Sequence, residues 1–245
     1  MKKLHSLALG AVIVLVSTLL SAADIDLANF NTADGFNLTN QEDGLSITWN
    51  SPEGEAFIDL QFIPRQGNNA AEPLIRAIGI DGEAAIEGVD PNYLFWVGER
   101  DLLLRDGWQI FFDRVPTRPY TVEKGYLTPG DVSISTSATR ATIEIDGLNS
   151  THFSGSLVFI LYHDSPFVHM EARVSTDRPA TAFLYHVGLA KSDTEGHHLE
   201  WIDAYDNPHI DPIAKATASV YQTRYRSMAL SNTNGSLVIS PFPHQ

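Results

Sequence analysis

Two stretches of this chain concentrate side chains able to do chemistry. The first is "GWQIFFDRVPTRPY", residues 107–120, and four arginines, Arg100, Arg105, Arg114 and Arg118, fall within 19 residues around it. Strand alternation places Trp108, Ile110 and Phe112 on one face and Gln109, Phe111 and Asp113 on the other. Pro116 and Pro119 then end the ladder, so that Arg114, Arg118 and Tyr120 are expected to emerge at a rim. A guanidinium reads a planar carboxylate through two parallel N–H bonds, and Tyr or Trp offers a flat face to a sugar ring. With Trp96 and Arg100 on the preceding run, these residues outline a binding surface for a poly- or oligosaccharide, one containing uronate units in particular. The competing reading is a structural ion-pair network, because Glu99, Asp101, Asp106 and Asp113 are close enough in sequence to pair with all four arginines.

The second stretch is "TEGHHLEWIDAYDNPHID", residues 194–211, read as an acidic loop. If 197–202 is extended, His198 and Glu200 share a face with Ile202, and Trp201 lies on the other. A carboxylate beside an imidazole is the minimum for acid–base work, so His198, Glu200 and the nearby Tyr205 are catalytic candidates. Trp201 joins the candidate binding residues. Asp203, Asp206 and Asp211 are hard oxygen donors suited to calcium, although their spacing matches no EF-hand loop. A further pair, His186 in "TAFLYHVGLA" and Glu171 in "FVHMEARVST", would supply an acid and a base if both strands faced one cleft. The plain alternative for a lone strand histidine is a satisfied structural residue.

Composition removes several classes. The chain has 245 residues and a formal charge of -14; removal of Lys2 and Lys3 with the leader makes it -16. That field repels nucleic acid and anionic membrane surfaces. There is no cysteine, which excludes thiol chemistry, disulfides and attachment through an N-terminal Cys. No nucleophile elbow, phosphate-cradling loop or dinucleotide fingerprint occurs.

Residues 1–23 read as an export signal: Lys2 and Lys3, an uncharged apolar run from Leu7 to Leu20, then Ser21, Ala22 and Ala23. The run is short for a membrane span and is followed at once by Asp24 and Asp26. The expected location is the periplasm or the medium, with no membrane association after cleavage. Residues 24–245 are expected to form a single domain.

The apolar residues of that domain recur at period two in short runs bounded by Gly, Pro, Asn or Asp, which predicts strands. Expected runs cover 44–50, 56–64, 75–80, 83–89, 93–104, 107–115, 131–138, 140–148, 154–163, 167–176, 181–190, 219–230 and 235–242. Asp81-Gly82 and Asn234-Gly235 predict hairpin turns. No run sustains a helical period. The fold class is therefore all-β, a large antiparallel β-sandwich.

"SGSLVFILYHDSPFVHMEARVST" (154–176), "TAFLYHVGLA" and the closing "RYRSMAL" and "NGSLVISPFPHQ" together resemble the galactose-mutarotase-like β-supersandwich. That resemblance implies work on carbohydrate: sugar epimerases, polysaccharide lyases, and the N-terminal domains that precede the catalytic barrel of some glycoside hydrolases. The ending "SPFPHQ" fits a chain cut before a C-terminal catalytic domain. The resulting expectation is an exported, carbohydrate-associated accessory domain. Its alternatives are a self-contained mutarotase- or lyase-type enzyme using His186 or His198 with Glu171, Glu200 or Tyr205, and a non-catalytic scaffold.

Overall fold

A computed structural model describes residues 24–41, 43–62, 73–99, 119–213 and 220–241. Seventeen strands are defined: β1 (Ile25–Asn29), β2 (Phe36–Gln41), β3 (Gly44–Ser51), β4 (Gly54–Gln61), β5 (Ile75–Ile80), β6 (Glu83–Glu99), β7 (Tyr120–Lys124), β8 (Tyr126–Leu127), β9 (Val132–Ser137), β10 (Arg140–Asn149), β11 (Ser154–Tyr162), β12 (Val168–Ser175), β13 (Thr181–Ala190), β14 (His198–Ile202), β15 (Pro208–Pro212), β16 (Met228–Ser231) and β17 (Ser236–Ile239). Among the described residues no helix is long and apolar enough to cross a membrane.

Two large sheets face each other. One runs β1-β9-β10-β11-β12 with β8 added at β10; the other runs β13-β6-β5-β4-β3-β2 with β7 added at β6. Alternation along β3 and β4 points Leu45, Ile47, Trp49, Ile58 and Leu60 inward, and β10 and β11 answer with Ile143, Ile145, Leu157, Phe159 and Leu161, all in one buried cluster. Burial of side chains of this size is the main stabilising term of such a sandwich. The Trp49 indole N–H donates across the interface to the Ser165 carbonyl at 2.7 Å, tying β3 to the turn between β11 and β12. The all-β antiparallel sandwich is thus observed, with one parallel exception among the described residues, the pairing of β1 with β9.

Several boundaries differ from the sequence expectation. The runs at 83–89 and 93–104 belong, as far as Glu99, to one continuous strand, because the turn signal Asp90-Pro91-Asn92 is carried within the ladder to β13. Tyr120 does not end a strand but opens β7. The loop expected at 194–211 contains the hairpin β14–β15, and with β16 and β17 it makes a third, four-stranded sheet. Of the run expected at 219–230, the described part, from Val220, becomes a continuous strand only at Met228. The Asp81-Gly82 hairpin is as expected: both residues have positive φ, 52° and 77°, and Ile80 pairs with Glu83.

Within the core, Tyr93 on β6 is 3% exposed and its hydroxyl has no hydrogen-bond partner. Burial, and after it the charge of Glu171, pushes this phenol up to about 12. An unpartnered buried hydroxyl costs about 1–3 kcal/mol, so Tyr93→Phe is expected to melt at or above the wild-type temperature. Differential scanning calorimetry checks this, and a lowered midpoint would assign the hydroxyl a stabilising role.

Candidate functional site

The second half of β6 is flanked on both sides, by β13 and by β7. Alternation sends Tyr93, Phe95 and Val97 inward and leaves Leu94 and Trp96 on the outer face. In register with them, β7 presents Tyr120, Val122 and Lys124 outward, and β13 presents Leu184 and His186.

Three rings on this outer face form a diagonal row across the three strands. Trp96 stacks on Tyr120 with centroids 5.4 Å apart and planes 17° apart, and on its other side lies His186 at 5.2 Å and 32°. Diagonal neighbours on a sheet are within reach of aromatic side chains, which is why the register alone aligns them. The ends of the row are open to solvent and its centre is half-buried: Tyr120 is 40% and Val122 56% exposed, His186 and Lys124 are exposed as well, and Trp96 is partly covered. Such a surface offers ring faces and edges flanked by a cation.

The inner face of the same strands is held by a polar cluster that the sequence pattern did not reveal. Glu123, directly behind the ring row on β7, is 6% exposed. Its Oε2 accepts from the Ser150 hydroxyl (2.9 Å) and from the His152 backbone N–H (3.0 Å), and its Oε1 meets His152 Nδ1. His152 Nε2 lies 3.1 Å from Arg178 Nη1, and Arg178 Nη2 lies 3.4 Å from Glu99 Oε1. A guanidinium only donates, so His152 Nε2 accepts, and the imidazole hydrogen sits on Nδ1 facing Glu123. Below this chain Phe95, Phe153 and Phe183 pack at 5.1–6.3 Å. His152 and Phe153 both come from the short connection between β10 and β11, so one turn of the opposite sheet plugs into the back of the ring-bearing strands.

Burial alone would raise the Glu123 carboxyl. Hydrogen bonds from the His152 ring, the Ser150 hydroxyl and the His152 backbone N–H outweigh burial and hold it below the usual carboxylate range. A carboxyl with a depressed folded-state value adds stability above the ordinary carboxylate range, and that stability is lost as pH falls through and below it.

Comparison with protein-family models and with curated proteins finds no match for this chain.

The sequence-derived candidates are dispersed. Trp96 and Tyr120 stand together, joined by His186. Arg100, Arg114 and Arg118 lie outside the described residues. Glu171 is on β12 of the other sheet, where its Oε2 accepts from Arg173 Nε and Nη2 at 3.1 and 3.0 Å, and no hydrogen bond or ion pair joins it to His186. His198 and Glu200 share a face of β14 as expected from an extended segment, and Glu200 Oε1 accepts from the Ser231 hydroxyl.

Trp201 is half-buried, stacked on the His209 ring at 4.9 Å and 10° with the tilted Tyr221 ring at 4.3 Å and 53°. Tyr205 projects from the hairpin tip, 86% exposed. The carboxylate–imidazole pair that forms here is Asp203 with His209, Oδ2 to Nε2 at 2.9 Å. The His209 bond first, then bonds from Asn207 and the Tyr205 N–H, hold the Asp203 carboxyl far below the usual range. Asp206 is paired with Arg224, and Asp211 is exposed on β15. Asp203 and Asp206 therefore spend their oxygens on protein donors. Among the described residues no group of three or more His, Asp or Glu is placed to hold a metal.

Glu123→Ala should lower stability by about 3 kcal/mol, since it strands the His152 and Ser150 donors in a buried setting. Glu123→Gln should in addition flatten the acid limb of the stability curve below the carboxylate range. Chemical denaturation at a series of pH values checks both, and an unchanged acid limb in Glu123→Gln would contradict the account.

Proposed function

We propose that this chain is an exported saccharide-binding β-sandwich, acting in the periplasm or the medium as the N-terminal or accessory part of a polysaccharide-degrading enzyme of the galactose-mutarotase-like kind. The observation that carries the proposal is the ring row His186–Trp96–Tyr120, with exposed ends and a half-buried centre, on a sheet face braced from behind. Aromatic faces and edges at a solvent-open, rigid surface suit the apolar faces of pyranose rings, and strands hold such rings more precisely than loops do. Lys124, on the same face as Tyr120 and Val122, and the arginines Arg100, Arg114 and Arg118 are the cationic groups that would favour uronate units.

The reading as a self-contained epimerase or lyase has less support from the contacts. Its carboxylates Glu171 and Glu200 are engaged by Arg173 and Ser231, and neither bonds to His186 or His198. A structural scaffold, for its part, gives no reason for solvent-facing rings at this place.

The test is affinity electrophoresis in gels containing polygalacturonate or a neutral polysaccharide. Trp96→Ala and Tyr120→Ala should each weaken retention about ten-fold, with circular dichroism unchanged. Arg114→Ala combined with Arg118→Ala should weaken retention on polygalacturonate alone. Wild-type mobility unaffected by any polysaccharide would overturn the proposal.

A further inference from the structure

His152 uses both of its ring nitrogens. Nδ1–H donates to Glu123, which β7 carries, and Nε2 accepts from Arg178, which sits in the connection between β12 and β13. Only a neutral imidazole fits both neighbours. Among the described residues the charged groups facing this histidine are Glu123 from β7 and Arg178 from the β12–β13 connection; Glu99, at the end of β6, reaches it through Arg178. Ser150, in the connection between β10 and β11, and Thr121, on β7, complete the Glu123 shell without adding charge.

Addition of a second proton turns Nε2 into a donor aimed at another donor, and places two cations at the 3.1 Å that now separates an acceptor from an N–H. Of the two neighbours, Glu123 is anionic and attracts the imidazolium, whereas Arg178 repels it. The guanidinium is the partner that must leave, and it has somewhere to go: its side chain is partly exposed, and Glu99 already holds one of its nitrogens.

We infer that His152 is a proton-operated latch on the saccharide face: uptake of one proton at Nε2 expels Arg178 and loosens the start of β13. The connection is short. Arg178 N–H donates to the Thr176 hydroxyl at 3.2 Å, and the Arg178 carbonyl accepts from the Thr181 hydroxyl at 2.9 Å, so movement of Arg178 is felt at the first residue of β13. Thr181, Ala182 and Phe183 pair with Glu99, Gly98 and Val97. One residue further, Leu184 pairs with Trp96, and His186 packs on its ring. The protonated state therefore holds the ring row less firmly, and the face binds less well once Nε2 carries a proton. The functional consequence rests on the saccharide reading; the latch itself does not.

Hydrogen exchange followed by mass spectrometry on the full chain tests the latch without any ligand. Between pH 7.5 and 5.5, after correction for intrinsic exchange, protection of the amides of Arg178 and of residues 180–183, Pro179 having none, should fall about ten-fold, the equivalent of one unit of proton linkage. His152→Gln offers an amide N–H toward Glu123 and a carbonyl toward Arg178, and cannot be charged; its protection at 178–183 should be independent of pH over this interval. Arg178→Gln should exchange fast already at pH 7.5, with no further change on acidification.

No change in the wild type, or the same acid-induced loss in His152→Gln as in the wild type, would overturn the latch. The same loss in His152→Gln would in that case point to His186, the imidazole that β13 itself carries. If exchange follows the expected pattern while polysaccharide retention is absent at every pH, the latch stands and the saccharide reading falls.

Discussion

The arrangement of this molecule depends on a buried carboxylate. Glu123 stands inside the sandwich, on a five-residue strand, and accepts from the side chains of Ser150 and His152 and from a backbone N–H of the opposing sheet. Removal from water raises the cost of any charge, and an anion persists there only because several donors converge on it. Satisfying that requirement fixes where the β10–β11 connection sits, and with it Phe153 between Phe95 and Phe183. It also fixes the β12–β13 connection, through Arg178. Three elements distant in sequence are thus brought to one place by the needs of one ionised group.

The consequence appears on the far side of the same strands. Alternation means that whatever holds Phe95, Glu123 and Phe183 in register also holds Trp96, Tyr120 and His186 in register. A solvent-facing row of rings gains little from the core, so its alignment has to come from the strands that carry it. Here the backbone is secured from within by charge-assisted hydrogen bonds and ring packing. The ring row and the internal clamp are two faces of one three-stranded unit, joined through strand register.

Much of the fold was legible in the residues, and the exceptions have physical causes. The hairpins 44–61 and 75–89 follow from two-residue alternation and from the positive-φ tolerance of Asp81 and Gly82. The β14–β15 hairpin was not legible because every residue of β15 is exposed, which leaves no inward–outward pattern to read. The parallel pairing of β1 with β9 joins segments roughly a hundred residues apart with no local signal. At the candidate site, Trp96 and Tyr120 were legible as aromatic residues near a strand end, and His186 only as a lone histidine. That the three form a row depends on the pairing of β13 with β6, which no local spacing encodes. Glu123 and His152 left still less trace, being 29 residues apart, one on a short strand and one in a turn.

The central claim is that the outer face of β13, β6 and β7 is where this protein meets its ligand. The four tryptophans, Trp49, Trp96, Trp108 and Trp201, give four indole N–H reporters. The most direct measurement is a titration of the 15N-labelled chain with oligogalacturonate and with a neutral oligosaccharide, following those signals. The account predicts a saturable shift of the Trp96 indole, with Trp49, buried and bonded to Ser165, and Trp201, covered by His209 and Tyr221, left in place. A saturable shift of Trp201 with Trp96 unmoved, or no shift with either oligosaccharide, would contradict it.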